Sequence, residues 1–355
     1  MKGATILFAR AVYAINWFYL APEIPNLISE YHQSYKLAGI IPLSFFLGSG
    51  LMQLPASYIG TKIGQRNSIV LGLLLMSLSS FLVAFSSSLT EVLVYYFLGG
   101  VGASFFFSSG GSILSVLNKE RVGLYLGVYN ALFSVGGFIG LNWVLVFREL
   151  GFSNGVALVG ALDFLSALLN LRLPNYTPSW KAVKDKGVVL LGVATVGVWG
   201  IYYAVGELFP SFMFFFYHVR SVTASEVTSS LLIFSAIGGA MGWLGDKFGG
   251  MKVLLSSSIV TSLSLLFLYT PFYELGLAIL GISNELAISV LYSITALRVG
   301  LKNSSVTLAM VNSINISLGT WLEFVAGFLG YYSWATLVVL SLLPLLLLLN
   351  LRTRT

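Results

Sequence analysis

The chain alternates between long apolar runs and short polar clusters. An α-helix needs about 20 apolar residues to cross the hydrocarbon core of a bilayer. Runs close to that length occur twelve times along the 355 residues. They lie near residues 4–25, 37–60, 67–87, 91–117, 122–147, 153–173, 187–211, 224–245, 252–270, 274–297, 304–328 and 333–350. The pattern therefore predicts an all-α membrane protein with twelve transmembrane helices.

The basic residues collect on one side of this predicted arrangement. With the N-terminus in the cytoplasm, 15 of the 19 Lys and Arg residues lie on the cytoplasmic side. Only Lys36, Arg148 and Arg220 lie on the other side, and Arg10 lies inside the first run. Cytoplasmic loops of membrane proteins carry an excess of Lys and Arg. We therefore expect a multi-pass protein of the cell membrane with both termini in the cytoplasm. The net charge of +6 then needs no nucleic-acid partner.

One polar segment near the middle of the chain differs from the other short connections. Residues 174–186 contain two prolines and three lysines. We interpret this segment as a cytoplasmic linker between an N-terminal six-helix bundle, residues 1–173, and a C-terminal six-helix bundle, residues 187–355.

Composition narrows the class of protein further. Hydrophobic residues make up 57% of the chain and charged residues 9%, against about 45–50% and about 25% in soluble domains. These values exclude a cytosolic globular protein and a disordered one. The chain has no Cys, only two His residues (His32 and His218) and no nucleotide-binding Gly-Lys-Ser/Thr loop. We therefore expect no enzymatic activity, no metal and no cofactor.

The two halves contain a sequence repeat. Residues 57–66 lie between the second and third runs, and residues 242–252 lie between the eighth and ninth. Gly60, Lys62 and Gly64 recur as Gly245, Lys247 and Gly249 at a constant spacing of 185 residues. Both copies occupy the same place in their six-helix half, which indicates an internal duplication.

At these residues the chain resembles the major facilitator superfamily of secondary transporters. The signature of that family is Gly-x-x-x-Asp-Arg/Lys-x-Gly in the loop after the second helix, and the second copy, from Gly242 to Lys252, fits it. The first copy has Ser57 in place of the leading Gly and Thr61 in place of the Asp. Gln53-Leu54-Pro55, Gly100-Val101-Gly102-Ala103 and Arg121-Val122-Gly123 are also similar to family motifs. The family places an Arg four residues before the first Gly of the second of these stretches, where this chain has Tyr96.

The repeated loops suggest a cytoplasmic gate. Asp246 can pair with Lys247 or Arg121, and glycines allow helix backbones to approach closely. We expect these contacts to hold the cytoplasmic ends of the bundles together in one conformation and to release in another. The alternative is that the same residues only fix topology and solubilise a turn. The residues of this predicted gate are Lys62, Gly64, Arg66, Arg121, Gly242, Asp246, Lys247 and Gly249.

Few ionisable groups lie inside the predicted helices, where they are costly and usually functional. They are Arg10, Asp163, Glu207, Glu285 and Glu323, with Glu23 near an outer end. In the family, helices 1, 4, 7 and 10, together with 2, 5, 8 and 11, line a central cavity, so the resemblance implies that Arg10, Glu207, Glu285 and Glu323 reach it. Asp163, on the sixth helix, is expected to be structural.

Helical spacing places polar side chains in stripes. The sequence predicts a substrate-binding set from four helices: Arg10, Tyr13, Asn16, Trp17, Tyr203, Asn284, Ser289, Tyr292, Asn312 and Asn315. Glu207, Glu285 and Glu323 are the predicted proton-coupling residues, because a desolvated carboxyl can take up and release a proton.

The prediction is a transporter that works by alternating access, as a monomer, on a small organic anion or similar metabolite with protons as the coupling ion. Two alternatives stay open. One is proton-driven efflux of cationic or amphipathic compounds. The other is a membrane sensor or scaffold that transports nothing.

Overall fold

The computed structural model describes residues 3–118, 122–177, 185–299 and 304–351, and it contains helices and no strand within these residues. The helices in chain order are α1 (Ala4–Phe18), α2 (Ile24–Glu30), α3 (Ile40–Ile63), α4 (Gln65–Ala84), α5 (Leu89–Leu117), α6 (Val122–Leu141), α7 (Val144–Leu150), α8 (Phe152–Asn170), α9 (Lys186–Tyr217), α10 (Ser221–Ala240), α11 (Trp243–Phe248), α12 (Gly250–Ser264), α13 (Tyr273–Val299), α14 (Ser304–Gly319), α15 (Trp321–Leu329) and α16 (Ser333–Leu342).

Twelve passes are built from these helices. Ten apolar stretches in the described residues are long enough to span a bilayer, and α6 with α7 forms an eleventh, bent by 43°. The last stretch, Thr307–Leu348, has 42 residues, about twice the length that one pass requires. Three contacts with α9 show the direction of this stretch. Gly319 lies beside Gly200, Tyr331 lies beside Phe212 further along α9, and Ser341 lies beside Gly197, near the starting level. The chain therefore reverses near residue 330, and the prediction of twelve transmembrane helices is confirmed.

The helices form two six-helix bundles. In the first bundle α4 packs on α5 and α8, and α1 packs on α6; in the second α10 and α12 pack on α13, and α14 packs on α9. Across the seam between the bundles α3 packs on α14 and α6 on α10. We call the end of the molecule that holds residues 64, 171–177 and 249 the linker end, and the other the distal end.

The repeat seen in the sequence has the same backbone shape in both bundles. Gly64 ends α3 with φ 91°, and Gly249 ends α11 with φ 93°. Residues with a side chain rarely adopt this left-handed region, so glycine is required in both copies. In the second bundle the signature forms its own short helix, α11, and α10 ends at Ala240, earlier than the predicted run to residue 245.

Glycines bring helices of one bundle into close contact. A Cβ atom on Gly100 of α5 would lie 1.8 Å from the carbonyl oxygen of Phe45 on α3. One on Gly72 of α4 would lie 2.6 Å from the carbonyl oxygen of Gly102. Small residues of this kind are typical of helix interfaces in membranes. The outer surface instead carries large apolar side chains such as Leu51 and Val94, each more than half exposed, as expected for a surface in contact with lipid.

The linker residues that the structure describes dock on both bundles. Tyr176 accepts a hydrogen bond from the amide of Gln65 at 2.9 Å, and its hydroxyl lies 2.8 Å from that of Ser112. Asp185 caps the start of α9 and pairs with Arg298 of α13 at 2.9 Å. Burial raises the pKa of Asp185, but the hydrogen bonds from Arg298 and from the amides of Gly187 and Val188 outweigh it and lower the pKa below its ordinary value.

Candidate functional site

A cavity of about 260 Å³ lies on the seam between the two bundles, about half-way along the helices. The first bundle contributes Arg10, Tyr13, Trp17, Gln53, Phe107, Asn130, Phe133 and Ser134. The second contributes Trp199, Tyr202, Tyr203, Asn284, Glu285, Ile288, Ser289, Tyr292, Asn312 and Ile316. Small-molecule sites commonly combine an aromatic lining with a few polar groups, and this cavity has that composition.

The structure brings nine of the predicted substrate-binding and proton-coupling residues to this cavity. They are Arg10, Tyr13, Trp17, Tyr203, Asn284, Glu285, Ser289, Tyr292 and Asn312. The stripe on α13 is the clearest case, because Glu285, Ser289 and Tyr292 recur at helical spacing and all face the cavity. The face of α13 that the periodicity predicted therefore lines the cavity.

Arg10 sits in an aromatic cage. Its guanidinium carbon lies 4.4 Å from the ring centre of Tyr129, 4.7 Å from Tyr13 and 4.8 Å from Phe133. These distances are within the range of cation–π attraction, which is worth up to about 2 kcal/mol each at a desolvated site. Its Nε donates to the carbonyl oxygen of Tyr129 at 3.4 Å, while Nη1 has no hydrogen-bond partner. The cage thus stabilises the positive charge, while Nη1 is buried without an acceptor.

The opposite wall carries the acidic group and the amides. Glu285 is partly accessible from the cavity. Asn284 is held in place because its Nδ2 donates to the carbonyl oxygen of Val198 at 2.7 Å. The hydroxyl of Tyr292 donates to Oδ1 of Asn312, which ties α13 to α14. This wall is therefore a fixed polar surface around a carboxylate.

Asn16 does not reach the cavity, although it was predicted to bind substrate. Its Nδ2 donates to both carboxylate oxygens of Asp163, at 3.1 and 2.9 Å, and its Oδ1 accepts from Ser80 at 3.3 Å. The hydroxyl of Tyr96 donates to the carbonyl oxygen of Asn16 at 2.9 Å. Asn16 lies a quarter-turn away from the stripe of Arg10 on α1, and it turns into the first bundle because a buried carboxylate there needs a donor.

Three other predicted residues lie away from the cavity. Asn315 accepts a hydrogen bond from Thr195 at 3.2 Å, inside the second bundle. Glu207 and Glu323 are almost completely buried, closer to the distal end, and close enough for their charges to interact. Neither carboxylate oxygen of Glu207 has a hydrogen-bond partner, and Glu323 receives one bond, from Thr320 at 3.2 Å. Both acids are therefore buried and lie outside the lining of the cavity.

A layer of aromatic rings separates the cavity from the distal end. Tyr203 of α9 lies 5.4 Å from Trp17 and 4.9 Å from Phe46, and its ring stacks on that of Phe18 at 6.0 Å. Since Trp17, Phe18 and Phe46 belong to the first bundle and Tyr203 to the second, this layer crosses the seam. It closes the distal side of the cavity.

A second closure lies at the distal end itself, which we call the distal seal and define by Gly39, Glu323 and Gly327. A Cβ atom on Gly39 would lie 2.0 Å from the carbonyl oxygen of Glu323, and one on Gly327 would lie 2.7 Å from the amide nitrogen of Gly39. Beside it, Tyr35 packs on Phe215 and Phe216, at 5.4 and 5.2 Å. The backbones of the two bundles are therefore in direct contact at the distal seal.

The residues of the predicted gate lie at the linker end. They are Lys62, Gly64, Arg66, Gly242, Asp246, Lys247 and Gly249, whereas Arg121 lies outside the described residues. Asp246 is exposed, and no ion pair to it occurs in the part of the chain that the structure describes. Lys247 lies over the rings of Trp243 and Phe248, at 5.7 and 5.3 Å. Within the residues that the structure describes, Asp246 therefore makes no ionic contact across the seam.

Several lining residues were missed by the sequence interpretation. Asn130 and Gln53 are isolated amides in apolar helices, a signal that could have identified them. Phe107, Phe133, Trp199 and Tyr202 carry no such signal, because an aromatic residue in a membrane helix can face lipid as readily as a cavity.

Comparisons of sequence agree with this architecture. The family model for the Major Facilitator Superfamily matches residues 6–322. Multidrug resistance protein 1 of Bacillus subtilis is 24% identical over 269 residues, which cover 71% of this chain and 69% of that protein. Multidrug efflux protein YfmO of the same organism is 24% identical over 185 residues, 49% of this chain and 46% of that protein. Three uncharacterised transporters of Schizosaccharomyces pombe are each 27% identical to this chain over 117 residues. The matched region covers 33% of this chain and only 24% of the length of those proteins.

Solved structures share the fold along nearly the whole chain. A mutant of the nucleoside transporter NupG superposes with a TM-score of 0.79 at 10% identity, covering 98% of this chain and 99% of that one. A bacterial homologue of the human lysosomal transporter Spinster, inward-facing and occupied, gives 0.74 at 14% identity over 99% and 96% of the two chains. From the family match, the twelve passes and the repeated signature, we conclude that this chain belongs to the Major Facilitator Superfamily.

Proposed function

We propose that this protein is a proton-coupled secondary transporter that moves a small solute across the cell membrane by alternating access. The observation that carries the proposal is the charged, aromatic cavity on the seam between the bundles. Solute sites of secondary transporters lie near the bilayer midplane at the interface of structural repeats. The family consists of membrane transporters rather than enzymes, which agrees with this function.

The conformation of the protein supports alternating access. The aromatic layer and the distal seal close one side of the cavity, while Asn130 in its wall remains exposed. With both termini in the cytoplasm, as the distribution of Lys and Arg indicates, the closed side faces outward. Two structural neighbours are described as inward-facing. We infer that this protein, acting as a monomer, is in the same state.

The solute that we propose is a small organic compound with an anionic group. Arg10 lines the cavity with an unpartnered Nη1, and Gln53 has an unpartnered Nε2. Buried donors without acceptors are costly, and a carboxylate is a suitable acceptor for a guanidinium. The volume of about 260 Å³ lies below the roughly 300–1,000 Å³ of drug-sized pockets, so the solute should be small.

Proton coupling in this proposal uses the buried acids. Glu207 and Glu323 have three oxygens without hydrogen-bond partners, and an ionised carboxylate in such a place costs several kcal/mol. The closed distal seal therefore favours the neutral, protonated forms of Glu207 and Glu323. Opening the distal end would let water reach them, so that ionisation and opening favour each other. Glu285 is the third candidate, because it meets both solute and water in the cavity.

Efflux of cationic or amphipathic compounds is the second candidate. Two relatives are named as multidrug efflux or resistance proteins, and the cavity combines Glu285 with several aromatic rings, a surface that attracts cations. The two candidates differ in which charge the cavity must neutralise, so the charge of an accepted solute distinguishes them.

Uptake into proteoliposomes tests the proposal. Radiolabelled small carboxylates and fluorescent cations are offered with and without an imposed pH gradient. We expect a carboxylate to accumulate when the gradient is present, with loss of accumulation in Arg10→Gln. Glu149→Gln, an exposed residue of the distal end, is the matched control and should transport normally. Gradient-driven movement of cations alone would support the efflux candidate. No accumulation of any solute would favour a sensor or scaffold.

We also propose that Asp246, Lys247 and Arg121 form the gate at the linker end when the protein changes conformation. The support is the position of Asp246, exposed beside the positive-φ turn at Gly249 and free of ion pairs in the described residues. Closure of the linker end would bring this carboxylate toward the basic residues of the first bundle.

A further inference from the structure

The cavity contains one positive and one negative side chain on opposite walls. Among the described residues that line it, only Arg10 and Glu285 carry a formal charge. Arg10 belongs to α1 of the first bundle, and Glu285 belongs to α13 of the second. The seam between the bundles therefore runs between two opposite charges.

These two side chains form no direct salt bridge with each other. The ion pairs in the described residues are Arg148–Glu149 and Arg298–Asp185, so the nitrogens of Arg10 and the oxygens of Glu285 are more than 4.0 Å apart. The described residues also donate no hydrogen bond to Glu285, although its side chain remains accessible. A buried charge without a partner is strongly unfavourable. Neither side chain therefore has an oppositely charged group in direct contact within the described residues.

The hydrogen-bonding groups of the two walls differ in the same way. On the first bundle, Arg10 and Gln53 each have a buried nitrogen donor without an acceptor. On the second, the amide nitrogen of Asn284 already donates to the carbonyl oxygen of Val198, which leaves Glu285 as an acceptor without a donor. Arg10 and Gln53 on one wall are therefore donors without acceptors, and Glu285 on the other wall is an acceptor without a donor among the described residues.

We propose that the solute is a small zwitterion, with its anionic group at Arg10 and Gln53 and its cationic group at Glu285. This inference rests on the proposed transport function and narrows its solute class. A simple anion leaves Glu285 unpaired, and a simple cation leaves Arg10 unpaired. A zwitterion satisfies both walls and links the two bundles through one molecule, so binding favours the movement of the bundles toward each other.

The test compares ligands that share a carbon skeleton and differ in charge. Binding to the purified full-length protein is measured calorimetrically with 4-aminobutyrate, butyrate and butylamine, and with glycine and 6-aminohexanoate to vary the separation of the charges. At least one zwitterion should bind about 30-fold or more tightly than the anion and the cation, because loss of one partner of a desolvated charge pair has at least that effect.

Two cavity variants test the placement of the charges. Glu285→Gln should abolish the preference for the zwitterion and bind butyrate at least as well, whereas Arg10→Gln should shift the preference toward butylamine. Glu274→Gln, on the same helix but outside the cavity, is the matched control and should keep the preference of the unmodified protein.

Three results would overturn this inference: butyrate binding as tightly as every zwitterion, an unchanged preference in Glu285→Gln, or no binding by any zwitterion of the series. A transported anion without preference for the zwitterion would leave the proposed function intact. A cavity whose accessibility never changes sides would defeat the proposed function whatever the ligand.

Discussion

Gly39→Ala should shift the protein toward a conformation that is open at the distal end. The new Cβ would lie 2.0 Å from the carbonyl oxygen of Glu323 and 2.9 Å from Cα of Phe324, both backbone atoms of the other bundle. Gly39 itself has φ −69° and ψ −11°, values that alanine adopts without strain. The substitution therefore acts only on the contact between the bundles.

The geometry sets the size of the effect. Carbon–oxygen contacts in proteins are usually about 3.3 Å or longer, so the two backbones must separate by about 1.3 Å. Overpacking of this kind costs about 1–3 kcal/mol, and it applies only to the conformation in which the distal seal is formed. The ratio of sealed to open protein should therefore fall by about 5- to 150-fold.

Distances between spin labels report this shift. The chain has no Cys, so labels can be attached at introduced cysteines without removing native ones. Thr90→Cys with Phe272→Cys reports the distal end, and Asn67→Cys with Phe248→Cys reports the linker end. These four side chains are exposed. Gly39→Ala should add a longer distance at the distal pair and a shorter one at the linker pair.

Gly48→Ala is the matched control. Its Cβ would lie 2.2 Å from the carbonyl oxygen of Phe97, an overlap as severe as that at Gly39 but inside the first bundle. It should lower thermal stability without changing either distance distribution. If Gly39→Ala leaves both distributions unchanged in a folded protein, the distal seal is not specific to one conformation and the reasoning fails.

Three further substitutions have defined outcomes. Glu323→Gln should keep the distal seal formed at alkaline pH, where ionisation of the native acid opposes it by about 2.5–3.5 kcal/mol. Equal pH dependence of the distal label distance in both proteins would contradict this. Asp246→Asn should reduce solute exchange and depopulate the conformation closed at the linker end, and an unchanged transport rate would indicate that Asp246 only fixes topology. Asp185→Ala should lower stability at pH 7 by about 0.5–2 kcal/mol, the usual value of a helix cap. The pKa of Asp185 is lowered in the folded protein. Its contribution to stability is therefore complete above the unfolded pKa of about 3.9 and disappears as the pH falls through the folded pKa. A difference in melting temperature that persisted at the most acidic pH would contradict this prediction.

The fold could be predicted from the sequence because the patterns that identify it follow from physical constraints on a helix in a bilayer. Twelve apolar runs were recognisable since each helix must satisfy its own backbone in lipid. The repeat was recognisable since Gly64 and Gly249 adopt a backbone shape that other residues rarely adopt. The breaks at Thr320 and near residue 142 were not predicted, because hydropathy does not report helix bends.

The site was only partly predictable because periodicity gives the face of a helix and not the depth of a cavity. Glu285 and Glu323 both lie on polar stripes, yet only Glu285 lines the cavity, while Glu323 is sealed in the distal part of the seam. Asn16 shows a second limit. Its partner Asp163 is 147 residues away, and no local pattern connects the two.

Access to the cavity from each side of the membrane tests the central claim most directly. Ser134 lines the cavity, and Ser134→Cys introduces a single thiol in a chain without Cys. The variant is reconstituted in proteoliposomes and treated with a membrane-impermeant thiol reagent from one side at a time; Asn67→Cys and Thr90→Cys report the orientation of the protein. Alternating access predicts labelling of position 134 from the linker side, and labelling from the distal side that increases in Gly39→Ala. Labelling from one side only, in every variant, would contradict it.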